Sequence, residues 1–342
     1  MEMYFAFQWH ITDKCDQRCK HCYIFSENNN LPVQEMSFIS MQNVVDNCLE
    51  MCERLDRIPY FYITGGDPLL NNDFWRLLEL LKSKEINFSL MGNPFHVNNE
   101  VCQRLNTYGC ERYQLSLDGL EYTHDSIRKS GSFNTTLEKI QCIRNAGIRS
   151  VIMTTVSGTN IDEIPELIDV VVENNVDVFS FARYCPTSFE KNTYIEPKQY
   201  KQFLDVCWKK SEQYKDCGTT FNLKDHLWTL YLYEKGLYTI PENLDIETIY
   251  DGCNCGISHL TILPNGNIYA CRRMESVIGN VFNDRLADVF LSEKMDAYRS
   301  FEKFEKCSKC ELLRFCRGCP AVAYGYTHNL YSSDPQCWKK IA

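Results

Sequence analysis

Three cysteines stand within eight residues near the start of the chain, at Cys15, Cys19 and Cys22. A structural zinc site takes four ligands in a tetrahedron, whereas a catalytic zinc site keeps one position open. Three thiolates on one short loop therefore suit a metal centre that leaves one position to an outside ligand. A four-iron four-sulfur cluster bound in this way would have one free iron. The spacing alone leaves open a structural zinc or iron loop with a distant fourth ligand.

A second group of eight cysteines occupies the last 90 residues. Its two C-x-x-C pairs suit zinc as well as iron. The stretch TILPNGNIYACR predicts a β-hairpin with an Asn-Gly turn, which would bring Cys271 beside its partner cysteines.

The composition excludes several classes of protein. The chain has 342 residues, a formal net charge of −9 and no basic tract, so nothing indicates a nucleic-acid groove. No signal-peptide pattern and no stretch approaching 18 uninterrupted apolar residues is present, so we expect a cytoplasmic protein without a membrane span. Disulfides are rare in a reducing cytosol, and the 19 cysteines therefore indicate metal binding or redox chemistry.

Strands and helices alternate through the first half of the chain. Apolar runs such as 4–11, 60–64 and 112–119 predict strands, and amphipathic runs such as 37–55 and 133–147 predict helices. This alternation predicts a parallel sheet with helical crossovers. Its six units are fewer than the eight of a closed barrel, so the expected fold class is α/β, a partial (β/α)6 TIM-type barrel.

Three chemical signals follow predicted strands directly. The three-cysteine loop follows the first strand, GGDP (65–68) follows the second, and SLDG (116–119) ends the fourth. The C-terminal ends of parallel strands meet at one edge of a sheet, where active sites form. We therefore expect the three signals at one edge.

The pattern changes twice beyond the predicted barrel. Residues 185–250 are mostly helical and predict a bridge, whereas residues 251–342 are rich in cysteine and predict a second domain. The expected division is 1–184, 185–250 and 251–342.

The cysteine loop resembles the C-x-x-x-C-x-Φ-C signature of radical S-adenosylmethionine (SAM) enzymes, with His21 at the usually aromatic position Φ. The resemblance implies that the free iron binds the amino and carboxylate groups of SAM. One electron from the cluster then cleaves SAM to methionine and a 5′-deoxyadenosyl radical, which takes a hydrogen atom from the substrate.

The segment TGGDP resembles the Gly-Gly-Glu-Pro motif of the same family, with Asp in place of Glu. The resemblance implies that this segment faces the amino group of SAM, and glycines permit such a close approach. The residues concerned are Gly65, Gly66, Asp67 and Pro68.

The segments QLSLDG and HDSIRKSGSF also resemble one branch of the family. By this resemblance Ser116 and Arg128 are candidate contacts to the carboxylate or ribose of SAM, and arginine forms bidentate pairs with carboxylates. A surface ion pair of Arg128 with Asp125 or Glu138 is the alternative.

The C-terminal cysteines resemble the SPASM domain of a set of radical SAM enzymes, apart from the shorter C-x-x-C spacing of Cys316 and Cys319. Full SPASM domains bind two auxiliary four-iron four-sulfur clusters. Carried over, the first would use Cys255, Cys271 and Cys319 with Cys253 as the candidate fourth ligand. The second would use Cys307, Cys310, Cys316 and Cys337. Together with the SAM-binding cluster, the resemblance implies three clusters.

Two further side chains are candidates for catalysis. Asp118 lies at the expected active edge and is a candidate acid or base, although it is equally suited to capping the loop after the fourth strand. Cys185 follows the sixth strand and is a candidate substrate contact, with core packing as the alternative. The cysteines outside the ligand sets are expected to pack as small apolar residues.

The resemblance implies a maturase that modifies a ribosomally made, cysteine-containing peptide, with a thioether or another cross-link as the product. The expected partners are the precursor peptide, a separate leader-binding protein, because the chain begins at the first core strand, and an electron donor such as flavodoxin or ferredoxin. The alternatives are a sulfatase-maturing enzyme that forms formylglycine and a small-molecule cofactor enzyme. Outside enzymes, the alternatives are an iron–sulfur electron carrier and a zinc-binding scaffold.

Overall fold

The computed structural model describes residues 3–25, 33–187, 190–245 and 248–341. The strands within these ranges are β1 (Tyr4–His10), β2 (Ile58–Thr64), β3 (Phe88–Met91), β4 (Cys110–Ser116), β5 (Arg149–Val156), β6 (Val178–Arg183), β7 (Thr220–Asn222), β8 (His259–Ile262), β9 (Asn267–Tyr269) and β10 (Val277–Asn280).

Most helices within the same ranges connect successive strands, and the last three follow the final strand. They are α1 (Phe38–Leu55), α2 (Phe74–Ser83), α3 (Asn99–Thr107), α4 (Glu121–Ile127), α5 (Ser132–Asn145), α6 (Ile164–Glu173), α7 (Pro197–Gln213), α8 (Leu227–Glu234), α9 (Leu286–Phe290), α10 (Glu293–Asp296) and α11 (Pro320–Thr327).

The predicted strand–helix alternation is confirmed in the first half of the chain, where β1 to β6 are parallel neighbours. The hydroxyl of Ser37 caps α1 by accepting a hydrogen bond from the Ser40 amide at 3.2 Å. Several short elements were not predicted, and two of them adjoin the barrel strands. The short helix α4 follows β4, and β7 lies inside the segment expected to be a helical bridge and pairs in parallel with β6.

One sheet runs through both cysteine-bearing regions. Its strand order is β10-β9-β8-β1-β2-β3-β4-β5-β6-β7. The hairpin predicted around Asn-Gly is formed by antiparallel β8 and β9, and β8 pairs in parallel with β1. The C-terminal region is therefore joined to the barrel strands by backbone hydrogen bonds, which the sequence pattern did not indicate.

The two faces of the sheet differ in polarity because successive side chains of a strand point to opposite sides. In β1, Phe5, Phe7 and Trp9 are fully buried, and Phe5 packs edge-on against Phe290 of α9 at 5.0 Å between ring centroids. The intervening Gln8 is only partly buried. The same alternation in β2 and β4 makes the face to which Gln8 points more polar than the other. We call the space in front of this inner face the lumen. A closed barrel of eight strands is packed with apolar side chains at this place.

A fully buried arginine links the barrel to the C-terminal region. Arg183, at the end of β6, donates from Nε to Asp225 Oδ2 at 2.9 Å and from both terminal nitrogens to Asp334, at 2.6 and 2.9 Å. The second oxygen of Asp334 also accepts the Cys319 amide at 2.7 Å. Such a pair stabilises only when its hydrogen bonds are complete, as they are here.

Within the described ranges, no helix is both long and apolar enough to cross a membrane.

Candidate active site and iron–sulfur ligands

The GGDP segment packs directly on the strand end that leads into the cysteine loop. The amide of Gly66 donates to Thr12 O at 2.8 Å, and the amide of Asp67 donates to Lys14 O at 2.7 Å. A Cβ atom at Gly65 would lie 2.1 Å from Thr12 O, and one at Gly66 would lie 2.2 Å from Lys14 O. The glycines are therefore required for contact between two backbone segments, a reason that the resemblance to a SAM-binding motif did not indicate.

Asp67 is fully buried beneath the cysteine loop. One carboxylate oxygen accepts the Leu69 amide at 3.1 Å and caps the short 3₁₀ turn that begins at Pro68. Burial raises the pKa of this carboxyl to about 7, and the nearby charge of Asp16 acts in the same direction.

Backbone and amide N–H groups are directed at the sulfur atoms of the loop. Cys15 Sγ accepts from the Gln17 amide at 3.4 Å and from Asn93 Nδ2 at 3.7 Å, and Cys22 Sγ accepts from the Ile24 amide at 3.4 Å. Burial raises the pKa of the Cys15 thiol to about 11 without a metal. Donors placed around partly enclosed sulfurs suit thiolates that ligate an iron–sulfur cluster, and such bonds tune its potential.

Asp118, Arg128 and His21 form one charged group beside this loop. Arg128 Nε donates to Asp118 Oδ2 at 2.5 Å, and His21 Nε2 lies 3.4 Å from the same oxygen. The Thr155 amide donates to the other oxygen of Asp118 at 2.8 Å. Burial opposes ionisation of Asp118, but Arg128 and His21 outweigh it, and its pKa is lowered. The carboxylate is therefore ionised and its hydrogen bonds are taken by protein groups.

The surface ion pair considered for Arg128 is not formed. Its partner is the buried Asp118, while Asp125 instead accepts the amides of Gly131 and Phe133. Arg128 Nη1 also lies 3.8 Å from Cys19 Sγ. Ser116 lies at the end of β4, partly buried and opposite Met153 of β5. The structure therefore brings Arg128 to the cysteine loop and leaves Ser116 at the rim of the lumen.

The thiols assigned to the second auxiliary cluster line one cavity. Cys307, Cys310, Cys316 and Cys337 all contribute to its lining. Lys306 and Lys339 also line it, and Lys306 Nζ donates to Cys337 O at 3.0 Å. Four thiols with two lysines around one cavity fit the donor set and charge of an iron–sulfur cluster.

The thiols assigned to the first auxiliary cluster also converge. Cys253 and Cys255 line a second cavity of about 250 Å³, and the charges of Cys271 and Cys319 act on both of them. Arg273 Nη2 lies 3.2 Å from Cys319 Sγ. Only one residue stands between Cys253 and Cys255, and both side chains face this group of thiols. The sequence pattern did not single out Arg273, whose position two residues after Cys271 is the only local hint.

Cys185 lies between the first auxiliary thiol group and the SAM loop, since it affects the pKa of both Cys319 and Tyr23. It is buried just after β6, and its Sγ lies 3.9 Å from Arg183 O, which accepts its hydrogen bond. Burial, and then the neighbouring Cys319, raises the pKa of Cys185, whereas the neighbouring Cys185 thiol lowers the pKa of Cys319. Of the cysteines outside the ligand sets, Cys217 is exposed and Cys142 is partly buried, so these two do not follow the expectation of core packing; Cys48, Cys52, Cys102, Cys110 and Cys207 are buried.

The fold and these thiols define an iron–sulfur enzyme built on an open α/β barrel. Residues 9–171 match the family described as the Radical SAM superfamily, and residues 253–320 match SPASM, described as an iron–sulfur cluster-binding domain. The chain is a radical SAM enzyme with a C-terminal SPASM domain. These domains imply four-iron four-sulfur clusters and SAM binding.

Two curated relatives span almost the whole chain. The AdoMet-dependent heme synthase of Nitratidesulfovibrio vulgaris is 24% identical over 96% of this chain and 90% of the relative. The mycofactocin maturase MftC of Mycolicibacterium smegmatis is 23% identical over 96% of this chain and 81% of the relative. The crystal structure of Streptococcus suis SuiB bound to SAM has a TM-score of 0.74 at 20% identity, covering 99% of this chain and 78% of SuiB. This last likeness shows the fold alone.

Proposed function

We propose that the protein is a maturase that installs a thioether or another cross-link in a ribosomally made, cysteine-containing peptide. One contact carries the proposal. Arg272, next to Cys271, donates from Nη2 to Tyr23 O at 3.0 Å, and Tyr23 follows Cys22. The loop with an open iron position and the first auxiliary thiol group therefore touch. Chemistry that removes a hydrogen atom and then an electron from one substrate needs these two centres close together.

The residues present suit three four-iron four-sulfur clusters. Cys15, Cys19 and Cys22 would hold the SAM-binding cluster, Cys253, Cys255, Cys271 and Cys319 the first auxiliary cluster, and Cys307, Cys310, Cys316 and Cys337 the second. When bound, the first of these supplies the electron that cleaves SAM, and the auxiliary clusters accept an electron from the substrate. We also propose that residues 65–68 bind SAM.

The charged group beside the cysteine loop would orient SAM. Arg128 is the candidate for the SAM carboxylate, and Ser116 for the ribose or carboxylate. Asp118 is fully occupied by Arg128, His21 and the Thr155 amide, so we assign it a positioning role toward Arg128 rather than contact with substrate. We keep Cys185 in the proposal as a candidate substrate contact.

Formation of a thioether replaces one C–H bond and one S–H bond with a C–S bond. The hydrogen atom from carbon goes to 5′-deoxyadenosine. The thiol proton would go to solvent, and an auxiliary cluster held by the C-terminal cysteines would take up the remaining electron. The enzyme also needs one electron per SAM from a donor such as flavodoxin or ferredoxin, and a separate leader-binding protein is part of the proposal. We further propose 1–184, 185–250 and 251–342 as the functional division of the chain.

Oxidation of a tetrapyrrole is the second candidate, because curated relatives that cover 96% of this chain are heme synthases. Both candidates use the same radical chemistry and differ in substrate. Formylglycine formation in a sulfatase stays a further prediction.

The first test measures iron per chain and 5′-deoxyadenosine formed from SAM under dithionite, on protein reconstituted without oxygen. Three clusters correspond to about twelve irons. The triple substitution Cys15→Ala/Cys19→Ala/Cys22→Ala should remove about four irons and all SAM cleavage. Product analysis with cysteine-containing precursor peptides and with coproporphyrin III then separates the two candidates. Zinc with little iron, or iron without SAM cleavage, would exclude both.

A further inference from the structure

Three side chains with metal-binding atoms meet beside the cysteine loop. Asp16 lies on that loop directly after its first cysteine, Asp67 follows β2, and His96 follows β3. One donor atom of each lies within 4.8 Å of the donor atoms of the other two, and His96 Nε2 is 3.4 Å from Asp16 Oδ2. The ends of β1, β2 and β3 bring these residues together because the three strands are neighbours in the sheet. None of the three residues belongs to the proposed cluster ligands.

Two of the polar atoms in this group are buried without a hydrogen bond to any residue that the structure describes, namely Asp67 Oδ2 and His96 Nε2. Asp67 is fully enclosed, and its other oxygen already accepts the Leu69 amide at 3.1 Å. Burial of a carboxylate is costly unless a hydrogen bond or an opposite charge replaces the lost water. The free oxygen of Asp67 therefore indicates a ligand from outside the chain.

The chain supplies no lysine or arginine to either carboxylate, as far as its described residues go. Lys129 and Arg18 come close but donate to main-chain oxygens, Lys129 Nζ to Asp16 O at 3.2 Å and Arg18 Nη1 to Cys15 O at 2.6 Å. The donor to the Asp16 carboxylate is the neutral amide of Asn93, at 2.7 Å. Two neighbouring carboxylates without a cationic partner favour a bound cation.

The donor set favours a divalent transition-metal ion. Carboxylates suit Mn²⁺, and an imidazole suits Fe²⁺ and Zn²⁺, whereas Ca²⁺ prefers oxygen ligands alone. Oxygen and nitrogen ligands about 2.0–2.2 Å from one ion lie at most about 4.4 Å apart, so a small movement of the exposed Asp16 would complete the site. The thiolates of the cysteine loop are soft ligands, which distinguishes this group from the cluster site.

We propose that Asp16, Asp67 and His96 bind a divalent metal cation that is separate from the iron–sulfur clusters. The cation joins the cysteine loop to the segments that follow β2 and β3, and so fixes the position of Cys15. Asn93 adds to this link, because its Nδ2 lies 2.7 Å from Asp16 Oδ1 and 3.7 Å from Cys15 Sγ. The inference goes beyond the proposed function and does not depend on which substrate the enzyme modifies.

The test titrates Mn²⁺ into cluster-loaded protein without a histidine tag, in the absence of oxygen, and measures free Mn²⁺ by electron paramagnetic resonance. We expect one tight site per chain. Asp16→Asn and His96→Gln should each weaken its dissociation constant about tenfold, because each removes one ligand. The matched controls are Asp46→Asn, which alters an exposed ion pair with Lys84, and His328→Gln, which alters an exposed histidine. Both controls should bind Mn²⁺ as the unaltered protein does.

Spin-echo spectra of the bound Mn²⁺ should show coupling to one imidazole nitrogen that is absent in His96→Gln. Iron content shows whether each variant keeps its cysteine loop intact, and His96→Gln, which lies outside the loop, decides the test if Asp16→Asn loses iron.

Absence of stoichiometric Mn²⁺ binding, or unchanged affinity in His96→Gln, would overturn the cation site. One-for-one displacement of Mn²⁺ by SAM would also overturn it, and would assign the carboxylates to the amino group of SAM. Iron per chain and SAM cleavage by the unaltered protein test the radical enzyme separately, so failure of the cation site leaves the proposed function standing.

Discussion

The SAM loop and the auxiliary thiol groups are supported by different kinds of structure. Cys15, Cys19 and Cys22 are partly exposed on a loop, and their support comes from parallel strands and the GGDP segment. The auxiliary thiols lie among turns and short helices, of which α11, with eight residues, is the longest after residue 250 in the described chain. Cys307 and Cys316 are buried, and both line a cavity.

This difference implies a different dependence on metal. The barrel buries large apolar side chains such as Trp9 and Phe61 and has a continuous hydrogen-bonded sheet. We therefore expect the barrel to fold without a bound cluster. A region whose ligands surround a cavity gains folding free energy when the metal binds, as small metal-dependent domains do. The four predictions that follow test this contrast, from the largest expected effect to the smallest.

Removing cluster ligands should affect the two regions in opposite ways. Cys15→Ala/Cys19→Ala/Cys22→Ala should abolish SAM cleavage and leave the unfolding temperature nearly unchanged. Cys307→Ala/Cys310→Ala should lower the unfolding temperature of the C-terminal region by about 10 °C, because metal-derived stability is lost. Calorimetry and iron analysis of both proteins would check this. An equal fall in unfolding temperature for both variants would contradict the contrast.

Arg183 is the strongest polar link between the regions. Arg183→Met should lower the free energy of unfolding by about 3–5 kcal/mol, because Asp225 and Asp334 would be left buried without their partner. Urea unfolding should be monitored separately in the barrel and in the C-terminal region. It would also show whether the two regions of the variant unfold at different urea concentrations. The control is Arg54→Gln, which removes an exposed ion pair with Asp288 and should cost less than about 1 kcal/mol. A similarly small loss at Arg183 would mean that this link is unimportant.

His124 supports the SAM side and should make its stability depend on pH. It is fully buried, accepts the Asp118 amide at 3.0 Å, and lies 2.8 Å from Ser132 Oγ. Burial, with help from Arg128, lowers its pKa to about 4 from an ordinary value of 6.5. A depressed histidine pKa gives stability that is complete above pH 6.5 and is lost as the pH falls through 4, at most about 3 kcal/mol.

The measurement for His124 is the free energy of unfolding between pH 8 and pH 4 for the unaltered protein and His124→Asn. Asparagine keeps an acceptor without titrating, so the difference between the two proteins should shift in favour of the variant as the pH falls. His328→Asn changes an exposed histidine at the end of α11 and should follow the unaltered protein. Parallel curves for His124→Asn and the unaltered protein would contradict the assignment.

Arg128→Lys should have the smallest effect of the four. Lysine keeps the charge but cannot reproduce the planar fork that reaches Asp118, Cys19 and His21. We expect the dissociation constant of SAM to rise about tenfold with iron content unchanged, measured by anaerobic calorimetry. Arg144→Lys, on α5, is the matched control. If Arg128→Lys binds SAM as the unaltered protein does, the charged group does not orient SAM.

Much of the barrel was predictable because its signals are local. Alternating apolar residues placed β1, β2 and β4 within a few residues of their observed bounds, and Ser37 marked the start of α1. The short β7 was missed, since three residues carry too little periodicity. The pairing of β8 with β1 was missed because it joins segments about 250 residues apart, and the alternative partner considered for Arg128 was wrong for the same reason: local spacing does not reveal which carboxylate is buried nearby.

The sequence by itself determined the number and grouping of the thiols, the strand–helix order and the presence of glycines after β2, because each depends on spacing along the chain. Only the tertiary structure decided that Arg272 reaches Tyr23 and that Arg183 binds Asp334. These contacts depend on how the sheet curls and on the register of distant strands. Burial free energy summed over the whole core sets both, and no short segment encodes that sum.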